Sequence, residues 1–208
     1  MAYDAKATQQ RILGAATDEF ARYGVAGARV DRIATAAQAN KRAIYDYFGD
    51  KDGLFAAVLE QLMADLAEAV PPAPAAGGDA PATGDGAAAA GGPAADLGAY
   101  AERLFDYHRA HPQALRLLMW EALQLGEESV PGEERRTRHY DDKVRAAAAA
   151  TGRDEEQART LLFLTMGLVG WSLAMPQVRR MVLGEDASPE RLRGAVADAV
   201  RRLTSRNG

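Results

Sequence analysis

Apolar residues along this chain recur at three- and four-residue steps, and no stretch shows the strict alternation that a half-buried strand requires. Ile12, Ala15, Ala16, Phe20 and Tyr23 share one stripe, which predicts a helix over 8–23 with Gly24 as its stop signal. A short second helix is expected over 30–36. Asn40 is a good N-cap for a third over 41–47, and Asp50 can cap a fourth over 51–70. The apolar face of that fourth helix is Leu54, Phe55, Val58, Leu62 and Leu66.

The pattern then stops. Residues 71–95 are Pro, Ala, Gly, Asp and Thr, with no large apolar side chain to offset the entropy of ordering, so a disordered loop is expected. Helical spacing resumes over 97–111. Pro112 opens a helix that ends at Gly126, and another follows over 133–150, charged first and alanine-rich later. Asp154 and Gln157 are spaced for a capping box at the head of a long apolar helix through Met175. Ser188, Pro189 and Glu190 start a last helix that runs to about residue 202. The expected fold is all-α, with about nine helices.

Residues 33–54, IATAAQANKRAIYDYFGDKDGL, read as helix, tight turn, short basic helix, aromatic residues and a newly capped helix. That is the layout of a helix-turn-helix, whose second helix enters the DNA major groove. Such a helix needs side chains at its N-terminal end that reach bases or phosphates, and Asn40, Lys41 and Arg42 stand there. Arg42 suits bidentate pairing with a guanine edge, and Lys41 a base or a phosphate. Tyr45 and Tyr47 offer hydroxyls to phosphates or rings to thymine methyls. Lys51 opens the next helix, where its ammonium and the free amides can meet one phosphate together, and Arg29 can do the same at the second helix. Phe48 is expected in the core, and Asp46 and Asp50 facing away from phosphates. The plainer readings stay beside these: solvated surface charge for Lys41, Arg42 and Lys51, and packing for Tyr45.

The residues Arg11-Ile12-Leu13, Ala15-Ala16, Phe20, Gly24, Ile33-Ala34, Ala37, Lys41, Tyr45, Tyr47-Phe48, Lys51 and Leu54 together resemble the DNA-binding domain of TetR-family transcriptional regulators. The resemblance implies a homodimer whose C-terminal helices bind a small molecule and dimerise, ligand binding releasing the operator. Two positions depart from the family pattern. Gln38 stands where the turn usually has Gly, so either Gln38 takes an unusual conformation or the turn differs. Arg29 stands where the second helix usually opens with Ser or Thr, so a cap is lost and a phosphate contact is gained.

Charge sharpens this division of labour. The net charge is −4, but residues 1–54 carry eight Lys/Arg against seven Asp/Glu, a local +1, which leaves −5 for the rest. A small footprint on phosphates fits this better than wrapping. The domains are therefore placed at 1–54, helix-turn-helix, and 55–208, a larger helical ligand-binding and dimerisation domain containing the 71–95 loop. There is no cysteine, so thiolate chemistry and disulfides are excluded. The N-terminus shows no secretory signal, and the apolar stretch 161–175 is short of the ~20 residues that span a bilayer, so a cytoplasmic protein without membrane contact is expected. His108, His111 and His139 form no metal-ligand pattern, and no nucleophile, phosphate loop or acid–base pair has defining spacing. Neither a metal, a cofactor nor an enzymatic activity is expected.

Within 55–208, Tyr100, Leu104, Phe105, His108, Trp120, Met166 and Trp171 are expected to converge on a ligand cavity, against the alternative that each is simply core. Glu121 interrupts the apolar run LLMWEAL, either as a polar handle for a ligand or as the partner of Arg116 or another helix. The apolar helix 161–175 can give one face to its own core and another to a partner, with Gly167 and Gly170 permitting close approach. Leu162, Met166, Val169, Gly170 and Leu173, with Val196, Ala199, Val200 and Leu203 of the last helix, are the expected four-helix dimer interface. The leading expectation is a dimeric repressor that binds double-stranded operator DNA and is released by a small apolar effector. A constitutive DNA-binding dimer without a ligand, or a helical interaction module, remains the alternative.

Overall fold

Four of the expected caps are formed. Asn40 Oδ1 accepts from the Arg42 N–H at 2.8 Å, Asp50 Oδ1 from Gly53 at 2.7 Å, Asp154 Oδ1 from Gln157 at 2.8 Å, and Ser188 Oγ from Arg191 at 3.1 Å. They open α3 (Lys41–Phe48), α4 (Lys51–Ala69), α8 (Glu155–Ala174) and α10 (Pro189–Thr204) in the computed structural model, which describes residues 5–71, 96–184 and 188–205. The other elements are α1 (Ala5–Gly27), α2 (Val30–Ala36), α5 (Leu97–Ala110), α6 (Pro112–Leu125), α7 (Glu133–Thr151) and α9 (Pro176–Leu183). The expected disordered loop at 71–95 lies, apart from Pro71, outside the described residues.

All ten described elements are α-helices, one more than the periodicity predicts. The additional helix is α9. Pro176 sits in its first turn and turns the chain by 85° from α8, and none of its eight residues is buried. Its apolar residues Val178, Met181 and Val182 share one side of the helix, and that side is exposed. Gly24 does break α1, with φ 67° and ψ 176°, but the chain resumes helical geometry to Gly27. Tyr23, expected on the buried stripe, is instead exposed beside that break.

By its contacts the chain divides into two units, Met1–Glu68 with His111–Glu133 and Ala69–Ala110 with Glu134–Gly208. This division differs from a boundary at residue 54, because α6 belongs with α1. In the first unit Ile12, Ala16 and Phe20 of α1, Ile33 of α2, Ile44 of α3 and Leu54, Phe55 and Val58 of α4 are buried together. Each of the larger side chains contributes about 1.5–3 kcal/mol when removed from water. The Phe20 and Phe55 rings meet edge to face at 5.1 Å. The Trp120 ring of α6 lies so close to Gly24 that a Cβ there would come within 2.9 Å of it. Arg116 Nε donates to the Ala21 carbonyl at 2.8 Å, just before the break.

The second unit buries Leu97, Tyr100, Leu104 and Phe105 of α5 with Leu162 and Val169 of α8 and Val196 and Val200 of α10. Two arginines of α10 tie it to α5. Arg201 bonds Asp96 at 2.9 Å and Glu102 at 2.7 Å, and Arg193 reaches Asp106 at 2.8 Å and Glu102 at 3.0 Å. Because these pairs share partners, they act as a network rather than as isolated surface pairs, which are worth little singly.

Candidate nucleic-acid interface

The two departures from the family pattern are both resolved locally. Gln38 is the only non-glycine residue with positive φ among the described residues, at φ 50°. It takes the left-handed turn conformation itself, at a cost of about 1–2 kcal/mol relative to glycine. The turn is held on both sides: Ala37 N–H donates to Ile33 O at 2.9 Å and Ala39 N–H to Ala34 O at 3.0 Å. From α1, Arg11 Nε donates to the Ala37 carbonyl at 3.2 Å.

At the start of α2, Arg29 is the N-cap residue in extended geometry, and its side chain makes no cap bond. The missing cap is supplied from another helix. Glu19 of α1, buried, accepts the Arg29 N–H at 2.9 Å and Arg32 Nε at 2.8 Å through the same Oε1. Burial pushes the Glu19 carboxyl up, but the bonds from Arg32 and the Arg29 amide, with the charges of Arg32 and Arg22, outweigh it and hold the group below its ordinary value. Arg32 also lies over the Tyr23 ring at 4.4 Å. Neither Glu19 nor Arg32 stands out in the sequence by type. The available signal was position, since Glu19 falls on the same stripe as Ile12, Ala16 and Phe20, where a carboxylate requires a partner.

The two helices so held present α3. Ile44 is its one buried residue, so Lys41, Arg42, Tyr45 and Asp46 form a contiguous exposed face. Arg42 is 86% exposed, with Asp46 one turn on at 3.8 Å. Asp46 therefore shares the face of Arg42 instead of turning away, as the i, i+4 spacing dictates. Lys41 Nζ pairs with Asp31 of α2 at 2.7 Å, which raises its pKa. Tyr45 is exposed, while Tyr47 and Phe48 are half-buried with their rings edge to face. Phe48 is thus only partly a core residue. Asp50 is used in the α4 cap, and Lys51 is half-buried in the first turn of that helix. Asn40, Lys41, Arg42, Tyr45, Tyr47 and Lys51 lie on α3 and the start of α4, and Arg29 lies at the start of α2.

The expected ligand residues are divided between the two units. Trp120 and Glu121 belong to the first unit, where Trp120 packs against Gly24 and Glu121 is buried. Arg116, offered as the partner of Glu121, directs Nε to Ala21. Tyr100, Leu104, Phe105 and His108 are buried on the inner face of α5, and Trp171 is 62% exposed on α8. Of the set, Met166 alone lines the apolar groove of ≈ 340 Å³ between α7 and α8, with Tyr140, Val144, Arg159, Leu162 and Phe163. The α5 spacing identified a buried face correctly but could not say that the face packs on α8 and α10. A charged residue the sequence reading passed over, Lys143 of α7, is buried and donates to the Tyr100 hydroxyl at 3.2 Å. Burial lowers the Lys143 pKa to about 8 and raises that of Tyr100.

The residues expected at the dimer interface differ in how far their own chain covers them. Leu162, Val169, Val196 and Val200 are buried within their own unit, and Met166, Gly170, Leu173 and Ala199 are half-buried; of that set only Leu203 is exposed. The apolar side chains that α8 leaves to solvent are Phe163 at 71%, Trp171 at 62%, Leu164 and Leu168, two adjacent rows at i, i+4 spacing. Gly167, between them, has open space where a Cβ would stand, so nothing in this chain packs against it. On a helix apolar all round, periodicity cannot say which face is inward. Among the described residues no single helix is long and apolar enough to cross a membrane, and no group of three His, Asp or Glu residues could hold a metal ion.

Comparison with known proteins covers both units. Residues 12–58 match the model of bacterial regulatory proteins of the tetR family, and residues 96–202 match that of the tetracyclin repressor-like C-terminal domain. The chain is 41% identical over 210 residues to the HTH-type transcriptional repressor SCO4008 of Streptomyces coelicolor, covering 99% of each protein. A 68-residue stretch is 43% identical to the HTH-type transcriptional repressor NicS of Pseudomonas putida. The fold matches the crystal structure of the putative transcriptional regulator SCO4942 from Streptomyces coelicolor with a TM-score of 0.71 and 29% identity, over 94% of this chain and 97% of that one. A capped, exposed α3 held by a two-helix turn, two matching family models and a full-length relative lead to one conclusion: the chain belongs to the TetR family of transcriptional regulators.

Proposed function

We propose that this protein is a dimeric transcriptional repressor of the cytoplasm, that α3 reads its operator, and that a small apolar ligand releases it. The observation that carries the reading is the face of α3. Lys41, Arg42 and Tyr45 project from a helix whose N-terminus is capped by Asn40 and whose one buried residue anchors it to the first unit. Arg42 reads a guanine edge, Lys41 a base or phosphate, and Tyr45, Tyr47, Lys51 and Arg29 contact the backbone. Two copies joined through the exposed row of Phe163, Leu164, Leu168 and Trp171 present two such helices to half-sites ~34–36 Å apart. The effector occupies the apolar groove between α7 and α8, whose ≈ 340 Å³ suits a small molecule. A ligand that prefers one spacing of the two reading helices shifts the dimer away from DNA, and full reversal takes about 5.5 kcal/mol of differential affinity.

Selection of bound duplexes from a random pool tests the first half of this reading. The expected product is a two-fold symmetric site with half-sites one or more helical turns apart. Recovery of no enriched sequence overturns it. A compound screen for release of that operator tests the second half: release by apolar molecules is expected, and indifference to all of them leaves a constitutive DNA-binding dimer.

A further inference from the structure

The two cations at the head of α3 are held differently. Arg42 is 86% exposed, with its nearest carboxylate at 3.8 Å. The Lys41 ammonium is in contact at 2.7 Å with Asp31, which belongs to the preceding helix, and the two side chains are 48% and 75% exposed. An acidic side chain of α2 thus sits at the end of the reading helix where phosphates and base edges must arrive. Asp31 is not needed for the fold in the way Glu19 is: it accepts no side-chain bond but that of Lys41 among the described residues, and it is largely in water. Its placement makes sense as electrostatics directed at DNA.

We propose that Asp31 is a specificity-determining residue, one that holds Lys41 away from the phosphates of non-operator DNA and yields it only where the operator supplies a better acceptor. This rests on the reading of α3 as the operator-binding helix. Non-operator duplex offers Lys41 only phosphates, and binding there is almost wholly the electrostatic term set by how many phosphates are neutralised. With Lys41 engaged by Asp31, the reading face loses one such contact. A surface pair of this exposure is weak, so a guanine edge that accepts from Lys41 within a well-placed complex displaces Asp31 readily. Discrimination then comes from weakening the wrong complex, a repulsive element as effective as a new attraction. The near-neutral charge of residues 1–54, eight basic against seven acidic, fits a head that keeps its non-specific affinity low.

The test uses the full-length protein, a random-sequence duplex and the operator recovered by selection. Asp31→Asn is expected to tighten binding to the random duplex and to steepen its log–log salt dependence by about 0.9, one added phosphate contact. That gain shrinks about threefold between 50 and 200 mM salt, and the ratio of operator to random-duplex affinity falls. In a Lys41→Gln background the same substitution is expected to change neither slope nor ratio, because its effect passes through Lys41. Unchanged binding of Asp31→Asn to random duplex overturns the proposal, and so does an equal gain without Lys41, which would make Asp31 a simple repulsive charge. Melting of each variant within about 2 °C of wild type, as surface substitutions allow, separates these results from misfolding. If the wild type itself binds no selected duplex, it is the regulator reading that fails; if it binds and Asp31→Asn behaves like wild type, only this inference fails.

Discussion

The two units treat charge in opposite ways. The first uses a buried carboxylate, Glu19, to fix the angle between α1 and α2, and leaves Arg42 and Tyr45 projecting into water. The second buries a cation, Lys143, against a neutral hydroxyl and exposes an apolar row, Phe163, Leu164, Leu168 and Trp171. A surface that must read a charged polymer keeps its polar groups outside and its scaffold satisfied. A surface that carries large aromatics in water is shaped for a partner of its own kind. On the proposed reading, recognition falls to the first unit and association to the second, and each part of the contrast can be broken separately.

The largest effect is expected at the apolar row. Phe163→Asp combined with Trp171→Asp places two charges where apolar contact is proposed, and should weaken self-association by about 3–4 kcal/mol, a factor of several hundred. Sedimentation across a micromolar concentration series reads this, and a wild type that remains monomeric throughout would remove the role of this face. Next comes Glu19→Ala. It strips the Arg29 amide and Arg32 of a buried acceptor and should cost about 3 kcal/mol in denaturant melts. A loss below about 0.5 kcal/mol would mean that α2 does not depend on α1 for its cap. Arg42→Ala should leave melting unchanged while weakening operator binding by about 1–3 kcal/mol and relaxing sequence preference at one base pair. Equal affinity and selectivity would move the reading role away from Arg42.

The most diagnostic effect, read as a slope rather than a loss, is on pH dependence. With its folded pKa lowered to about 8 from an ordinary 10.5, Lys143 binds a proton less readily in the folded than in the unfolded chain. Below pH 8 both states are protonated and its burial is a constant penalty. As pH rises from about 8 toward 10.5 the folded state loses the proton first, and stability rises by at most about 1.4 kcal/mol per pH unit. The raised Tyr100 pKa opposes this only above about pH 10, where the unfolded phenol ionises first. Thermal melts from pH 8 to 10 should therefore rise in the wild type more steeply than in Lys143→Met. Identical slopes would show that the ammonium is hydrated rather than buried.

Much of the first unit was readable from residue order because its determinants are local. A cap needs one oxygen two or three residues before a free amide, and Asn40 and Asp50 meet that condition through their neighbours alone. The same holds for Asp154 and Ser188, and for the exposed head of α3, since Ile44 by itself sets which side faces in. The pairing of Arg29 with Glu19 spans ten residues and that of Lys41 with Asp31 joins two helices, so neither follows from spacing within one helix. Gln38 lies between these cases. The sequence marked the position as unusual, and only the folded turn shows that Gln38 itself adopts φ 50°.

The second unit was legible as helices and not as faces. Leu97, Tyr100, Leu104 and Phe105 marked an inner surface, yet whether that surface met a ligand or α10 depended on where Val196 and Val200 came to rest. For α8 the ambiguity was greater, because an apolar residue occurs on every side and hydrophobic periodicity has no direction there. Residue order thus determined the described helices other than α9, the four side-chain caps and the family, all set by interactions within a few positions of the chain. Packing decided that Leu162 and Val169 turn inward while Phe163 and Trp171 turn out, that Trp120 closes over Gly24, and that Asp31 meets Lys41. These depend on the rotation of whole helices about their axes, a quantity that no local pattern encodes when both faces are chemically alike.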